Sequence, residues 1–253
     1  MIHDLQKAGP WKRAAAWLFD LILMSVVAAG ACFLLSGLLG YDGYSDTLDQ
    51  TQARYEQQYG VALDISYETY QSMPEEKQKA YDDAYDAFIA DEEALYAYNM
   101  MLSLTLVIIS LGILAAMLLW EFFIPLWLGN GQTLGKKIFG MCLVRNDGVK
   151  VNNMQLFTRT ILGKYTLETM IPVYVFLLMF WGSLGMTGSV ILLVLALGQT
   201  ACLLFTRNSA AIHDLLAGTA VVDMASQTIF RTTEDLIEYQ KRLAADRAQR
   251  AQY

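Results

Sequence analysis

The sequence predicts an all-α membrane protein with four transmembrane helices, an acidic helical extracytoplasmic insertion and a small cytosolic β element at the membrane surface. Of the 253 residues, 55% are hydrophobic and only 17% are charged, whereas soluble domains carry about 25% charged residues. The apolar residues fall in three blocks, 14–39, 98–120 and 169–205, and the charges lie between them. Hydrophobic stretches of about 18 or more residues are typical of membrane-spanning helices.

The last block predicts two spans rather than one. Residues 169–205 carry no charge but are too many for a single crossing. Glycines interrupt the block and predict a tight turn between the two spans, at Gly182, Gly185 and Gly188.

The first block resembles a cleavable leader in part, because basic residues precede it and Ala-Ala-Gly-Ala occupies 28–31. Asp20 lies inside its apolar core, and apolar sequence continues to Leu39, which is longer than the core of a usual leader. We therefore expect this block to be retained as the first span.

The basic residues predict the orientation. They cluster in three zones. The first precedes the apolar part of span 1 (Lys7, Lys12 and Arg13), the second precedes the apolar part of span 3 (Lys136, Lys137, Arg145, Lys150, Arg159 and Lys164), and the third follows span 4 (Arg207). Cytoplasmic loops are enriched in Lys and Arg, and four spans place these zones on one side. The sequence therefore predicts a multi-pass protein of the cell membrane with both termini cytoplasmic.

The chain divides into seven segments. They are 1–39, a cytosolic lead and span 1; 40–97, an acidic, Tyr-rich extracytoplasmic insertion; 98–127, span 2; 128–160, a basic cytosolic loop; 161–182, span 3; 186–206, span 4; and 207–253, a cytosolic tail with a charged helix.

Local signals predict the elements between the spans. Helical spacing at 48–59 indicates a short helix, and the start signal at Ser72 and Pro74 begins one long helix reaching Pro125, because no breaker intervenes. We expect a strand at 141–145, a turn, and a return strand at 149–151. The β-branched segment 219–223 is suited to pair with 141–145. Asn153 is expected to cap the helix entering span 3, and Asn208 or Ser209 a short helix ending near Gly218. A charged helix is expected from Thr233.

Three acidic residues at similar depth form a candidate cation or proton site, namely Asp20, Glu121 and Glu168. An ionisable side chain inside a span costs about 2.5–3.5 kcal/mol on insertion scales and suggests a functional site. A packing salt bridge at Asp20 and solvated positions for Glu121 and Glu168 are the alternatives. Arg13 shares a helix face with Asp20 but lies about 10 Å along the axis, too far for direct pairing, and it can snorkel to the headgroups.

One glycine-rich motif invites a phosphate-loop interpretation, at Gly131, Gln132, Thr133, Gly135, Lys136 and Lys137. Its spacing is wrong and an apolar helix precedes it in place of a strand. We interpret it as a membrane-surface motif whose two lysines meet anionic headgroups.

No enzymatic chemistry is predicted. The adjacent His213 and Asp214 point about 100° apart on a helix and cannot form a catalytic dyad, and no nucleophile motif accompanies them. The scattered cysteines, Cys32, Cys142 and Cys202, predict neither a disulfide nor a zinc site. We expect no metal and no cofactor.

Three motifs in order resemble the RDD family of membrane proteins: RAAAWLFD at 13–20, GQTLGKKIFGMCLVR at 131–145 and HDLLAGTAVV at 213–222. The likeness covers about 11–223, excluding 40–97, which is longer than the family's usual outer loop. It implies that Arg13, Asp20 and Asp214 are the signature residues. We expect these three residues to form one charge-compensated cluster at the cytosolic membrane boundary. Members are mostly of unknown function; some are Na⁺(Li⁺,K⁺)/H⁺ antiporters, and others accompany membrane-protein complexes.

Two functions follow as hypotheses. The first is a monovalent cation/proton antiporter in which Asp20 binds Na⁺, Li⁺ or K⁺ in competition with H⁺, aided by Glu121 or Glu168 and tuned by Arg13. The second is a non-transporting scaffold that docks through its charged C-terminal helix and a Tyr-rich stalk. The expected partners are the lipid bilayer and either a second copy or other membrane proteins, with no nucleic acid. The tyrosines in or beside the 40–97 segment are Tyr41, Tyr44, Tyr55, Tyr59, Tyr67, Tyr70, Tyr81, Tyr85, Tyr96 and Tyr98.

Overall fold

The structure is a computed structural model that describes residues 5–206 and 208–250. Arg207 of the third basic zone, and the ends 1–4 and 251–253 of the predicted terminal segments, lie outside the described residues.

Helices account for most of the described chain. The α-helices are α1 (Pro10–Leu38), α2 (Tyr41–Tyr59), α3 (Tyr67–Ser72), α4 (Glu75–Ile89), α5 (Glu92–Met117), α6 (Ile124–Leu128), α7 (Leu134–Ile138), α8 (Asn153–Thr158), α9 (Ile171–Phe180), α10 (Gly185–Phe205), α11 (Ile212–Ala217) and α12 (Thr233–Arg250). Two π-helical segments, π1 (Leu118–Phe123) and π2 (Arg159–Met170), continue α5 and α8 without a break. The strands are β1 (Met141–Arg145) and β2 (Thr219–Asp223).

The predicted helical fold class with four spans is confirmed. Within residues 5–206 and 208–250, four continuous helical stretches are long and apolar enough to cross a membrane: Pro10–Leu38, Glu92–Leu128, Asn153–Phe180 and Gly185–Phe205. The expected turn between the last two lies at residues 181–184. Gly188, which was expected in the turn, lies beyond it within α10. Its lack of a side chain lets Met179 of α9 pack against that helix.

The chain forms two compact units. One contains the residues up to 28 together with those from 113 onward, and the other contains residues 29–112.

A small antiparallel sheet organises the first unit. β1 pairs with β2 in the register Met141 to Asp223, which confirms the pairing expected from sequence. The chain before α1 adds to the sheet, because Lys7 forms a bridge with Val222. The expected return strand is reduced to one bridge between Lys150 and Val144. The sheet's buried residues pack against Ala16 of α1, so the lead, the sheet and the first span share a core.

The prediction of one unbroken helix from Pro74 to Pro125 is wrong. That stretch breaks between α4 and α5, where the Asp91 carboxylate accepts hydrogen bonds from the Glu93 and Ala94 amides at 2.9 and 3.0 Å. An aspartate at the N-cap satisfies the first free backbone amides and so marks the start of a new helix. The Asp91 carboxylate also accepts hydrogen bonds from Arg54 Nη2 at 2.8 Å and from the Tyr55 hydroxyl at 2.9 Å, both on α2.

The remaining local expectations were close to the structure. Asn152, one residue before the expected Asn153, caps α8 through a reciprocal pair of bonds with Gln155. α11 begins at Ile212 rather than at Asn208 or Ser209, and its N-cap residue Ala211 provides no side-chain cap. α12 begins at Thr233 as predicted.

Candidate functional site

Asp20 lies in α1 with 5% of its surface exposed, and both carboxylate oxygens accept hydrogen bonds. Oδ1 accepts from the Trp120 indole at 2.9 Å and from the Gly135 amide at 2.8 Å, and Oδ2 accepts from the Thr133 hydroxyl. All three donors are neutral. Among the described side chains, none forms an ion pair with Asp20.

Two features of the 131–137 motif explain this arrangement. Thr133 caps α7, since its hydroxyl accepts from the Lys136 amide at 3.3 Å while donating to Asp20. Gly135 has no side chain, and a Cβ there would collide with the Ala16 carbonyl oxygen and lie 2.9 Å from the Asp20 carboxylate. The motif thus docks α7 directly onto α1, with Asp20 as the anchor.

The two lysines of the motif separate, although the sequence placed both at the headgroups. Lys137 is exposed, whereas Lys136 is buried, with its ammonium 3.2 Å from the Thr133 hydroxyl and 3.7 Å from Glu121. Burial lowers the pKa of Lys136 to about 8, although the Glu121 carboxylate opposes this shift. Lys136 is therefore a buried group that can release a proton near pH 8.

Arg13 and Asp214 come together, and Asp20 does not join them. The Arg13 Nη2 lies 3.9 Å from Asp214 Oδ2, and Nη1 donates to the Ser209 carbonyl at 2.7 Å. Two of the three signature residues thus form one ion pair, and the third docks the 131–137 motif.

Asp214 is fully buried at the start of α11. Its Oδ1 accepts from Arg159 Nε at 2.8 Å and from Thr219 Oγ1 at 3.0 Å. Burial alone would raise the pKa of Asp214, but the Arg159 guanidinium beside it holds that pKa well below the usual range. Within the described chain, Oδ2 receives no hydrogen bond.

Glu121 and Arg159 complete a buried ion network. Glu121 on π1 accepts from Arg159 at 3.3 Å and from Lys164, and Lys136 is the third nearby cation. Arg159 has 2% of its surface exposed and spans from Glu121 to Asp214. Glu121, a candidate cation ligand from sequence, is thus already surrounded by three cationic side chains.

Glu168, the third acidic candidate, binds His213 rather than Asp20 or Glu121. Its two oxygens receive the His213 ring Nδ1 at 2.7 Å and the His213 amide at 3.1 Å. The Arg159 Nη2 lies 2.9 Å from His213 Nε2. Arginine can only donate, so Nε2 is unprotonated and Nδ1 carries the hydrogen. Burial lowers the pKa of His213, which agrees with a neutral ring.

The sequence analysis counted Arg159 and Lys164 only among the basic residues that indicate orientation and gave them no role in a site. The missed signal is Gly163, where a Cβ would collide with the Cβ of His213 and lie 2.6 Å from its Cα. A glycine at this position lets α11 approach π2 closely enough for the ion network to form.

Among the described residues, no group of three or more His, Cys, Asp or Glu is arranged to hold a metal ion.

A cavity of about 1190 Å³ links these groups. Asp20, Asp214 and Glu168 all line it, as do the cations Arg13, Lys136, Arg159 and Lys164. Its remaining wall is mainly apolar and includes residues of α1, α9 and α10. The arrangement combines a charged base with a hydrophobic chamber.

We expect Gly163→Ala to destabilise the protein strongly. The added methyl meets the backbone of α11, which cannot move without separating His213 from Glu168 and Arg159 from Asp214. Overpacking of this kind costs about 1–3 kcal/mol, measurable as a lower unfolding midpoint in detergent. Gly198→Ala is the matched control, because nothing lies within 4 Å of its added methyl. An equal loss in both variants would contradict this assignment.

The pKa of Lys136 predicts how stability depends on pH. Between about pH 8 and the ordinary lysine value of 10.5, the folded protein binds fewer protons here than the unfolded chain. Stability therefore rises with pH across this window, by about 1.4 kcal/mol per unit at most. Chemical denaturation should show that Lys136→Met removes this rise and that Lys137→Met, at the exposed neighbour, retains it. Identical slopes in wild type and Lys136→Met would refute the depressed pKa.

Comparison with known proteins gives one match. The family model described as the RDD family matches residues 7–218. No curated protein and no solved structure matches the chain. The matched range contains all the charged residues of the ion network.

Proposed function

Since this chain belongs to the RDD family, we propose that it exchanges a monovalent cation, Na⁺, Li⁺ or K⁺, for protons across the cell membrane. Family membership and the four apolar helices make the chain an integral membrane protein. In this proposal the membrane is the cell membrane, both termini are cytoplasmic and the protein is not an enzyme.

The state of Asp20 carries the proposal. It is a buried carboxylate within a span, it lines the cavity, and its described partners are three neutral donors. Glu121 and Asp214, by contrast, contact fixed cationic side chains. A buried negative charge without such a partner favours a mobile cation, because isolated charge in a low-dielectric site is costly.

Lys136 supplies the proton side of the exchange. Its ammonium contacts the Thr133 hydroxyl, which in turn donates to Asp20, so the two charges are coupled through one side chain. A cation that binds at Asp20 repels the positive charge of the Lys136 ammonium, and this repulsion promotes release of the Lys136 proton. Departure of the cation favours reprotonation. One cation and one proton therefore compete, and the charge of the site stays constant.

A role as an assembly scaffold is the second candidate. Several tyrosines in or beside the 40–97 segment are exposed, and tyrosine is enriched in protein interfaces. These are Tyr67, Tyr85, Tyr96 and Tyr98. Under this alternative the same segment binds another membrane protein and no cation moves.

Impermeant maleimide labelling tests the orientation. With Cys32, Cys142 and Cys202 replaced by alanine, a single cysteine at Asp64 should react in intact cells, and one at Asn146 or Ala244 should react only after permeabilisation. All three positions are exposed, so the difference reports the side of the membrane. The opposite pattern would reverse the topology.

Exchange in proteoliposomes tests the activity. Addition of Na⁺, Li⁺ or K⁺ to acid-loaded vesicles should dissipate the pH gradient between about pH 6 and 9. Asp20→Asn should abolish the signal, since it removes the charge and keeps the size of the side chain. Lys136→Met should abolish the proton coupling.

Asp147→Asn is the control, because Asp147 pairs with Arg145 outside the cavity. It should exchange at the wild-type rate. Wild-type exchange by Asp20→Asn would place the site elsewhere. Absence of exchange by folded wild type would support the scaffold.

A further inference from the structure

We propose that the cavity binds a zwitterionic phospholipid with a primary amine headgroup, of the phosphatidylethanolamine class, whose ammonium donates to Asp214 Oδ2. This binding site is distinct from the cation site at Asp20 and does not depend on exchange activity.

An unsatisfied buried oxygen is the first observation. Asp214 is fully buried and lines the cavity, yet its Oδ2 has no hydrogen-bond partner among the described residues. His213 Nε2 lies 3.5 Å away but is unprotonated, because it accepts from Arg159. A buried acceptor without a donor costs about 1–3 kcal/mol. The oxygen therefore favours a ligand that carries an N–H or O–H group.

Arg13 supplies the complementary charge. Its Nη2 is 3.9 Å from the same Asp214 oxygen, and its one described hydrogen bond, to the Ser209 carbonyl, uses only part of its five N–H groups. An acceptor and a donor thus stand side by side at the base of the cavity. This spacing suits a headgroup in which a phosphate and an ammonium are two carbons apart.

The charge balance of the base favours a ligand without net charge. Four buried or half-buried acids face four such cations around the neutral His213, while Lys7 is exposed at the rim. The acids are Asp20, Glu121, Glu168 and Asp214, and the cations are Arg13, Lys136, Arg159 and Lys164. An anionic or cationic lipid would leave one charge unmatched in a poorly solvated site, whereas a zwitterion would not.

The walls fit an acyl chain. On α10 the lining residues Leu192, Leu195, Ala196 and Gln199 recur at helical spacing and form one continuous face. Leu21 and Met24 of α1 and Phe176 of α9 line the other sides. The volume of about 1190 Å³ exceeds the ordinary range of small-molecule pockets, about 300–1,000 Å³. A hydrophobic chamber of this size between spans is suited to hydrocarbon rather than to a small polar solute.

The amine also sets the specificity. A quaternary choline headgroup has no N–H and leaves Asp214 Oδ2 without a donor. A phosphatidylglycerol headgroup can donate from a hydroxyl but adds an unbalanced negative charge. The order of affinity is therefore phosphatidylethanolamine above both other lipids.

Lipid titration of the delipidated full chain in detergent tests the proposal. Phosphatidylethanolamine should raise the unfolding temperature saturably, because a ligand of the folded state stabilises it. Phosphatidylcholine and phosphatidylglycerol should bind about tenfold more weakly or worse. Soluble glycerophosphoethanolamine, which lacks the chains, should give little shift. Native mass spectrometry should show one retained lipid.

Two neighbouring leucines provide the matched variants. Leu192→Trp fills the chamber and should weaken phosphatidylethanolamine binding about tenfold or more. Leu193, which is 58% exposed and outside the cavity lining, should tolerate the same change without loss. Asp214→Asn should remove the preference over phosphatidylcholine in the folded fraction, and Leu192→Trp keeps the test decisive if Asp214→Asn does not fold.

Four outcomes would overturn the proposal. Equal binding of phosphatidylcholine would mean that Asp214 does not select the headgroup. Equal losses in Leu192→Trp and Leu193→Trp would indicate annular lipid at the protein surface. A full shift with glycerophosphoethanolamine alone, or no lipid-dependent shift at all, would leave a soluble headgroup or structural water as the partner of Asp214.

Discussion

The Arg159 guanidinium is buried and reaches two other elements at once, Asp214 and His213 on α11 and Glu121 on π1. Removing one member of such a buried pair costs about 3–5 kcal/mol, because its partner is left charged and unpaired. Arg159 therefore fixes the positions of α11 and π1 relative to π2. That placement determines three further features: the ion pair between Asp214 and Arg13, the tautomer of His213, and the base of the cavity.

The π-helical geometry of π2 makes this network possible. Arg159 and Lys164 are five residues apart, and both contact the carboxylate of Glu121. In an α-helix of 3.6 residues per turn, such residues point about 140° apart and would not reach one carboxylate. The i to i+5 hydrogen bonding of a π-helix brings them to one face. The close packing of α11 at Gly163 uses the same face of π2.

Sequence reasoning recovered the elements whose signals are local. The four spans, the β1–β2 pairing and the start of α12 follow from apolar length, β-branched residues and helix-start residues. It failed where a side chain competes with a periodic pattern. Asp91 ended the predicted long helix because its carboxylate caps α5, and no apolar break in the sequence marks that position.

The site was predicted in part for a related reason. Asp20 stood out as a charge inside an apolar span. The family motifs identified both Asp20 and Asp214 as signature residues. Their partners did not stand out. Arg159 and Lys164 look like ordinary basic loop residues as long as an α-helical spacing is assumed, and Lys136 is indistinguishable in sequence from the exposed Lys137. The π-helix and the docking of α7 on α1, which decide these burials, are tertiary features without a residue-type signature.

The two signature aspartates are buried in opposite ways, and this difference separates their chemistry. Asp20 has its hydrogen-bond acceptors satisfied but lacks a bonded cationic side chain in the described chain. Asp214 has cations on both sides, but one of its oxygens has no donor among the described residues. A bare metal ion supplies positive charge but no N–H group. It can therefore provide the cationic partner that Asp20 lacks, but not the hydrogen-bond donor that Asp214 lacks. A primary ammonium supplies the missing donor at Asp214, and Arg13 beside it accommodates the phosphate that the same headgroup carries. One cavity can therefore hold an exchangeable cation and a resident lipid without competition for the same oxygen atoms.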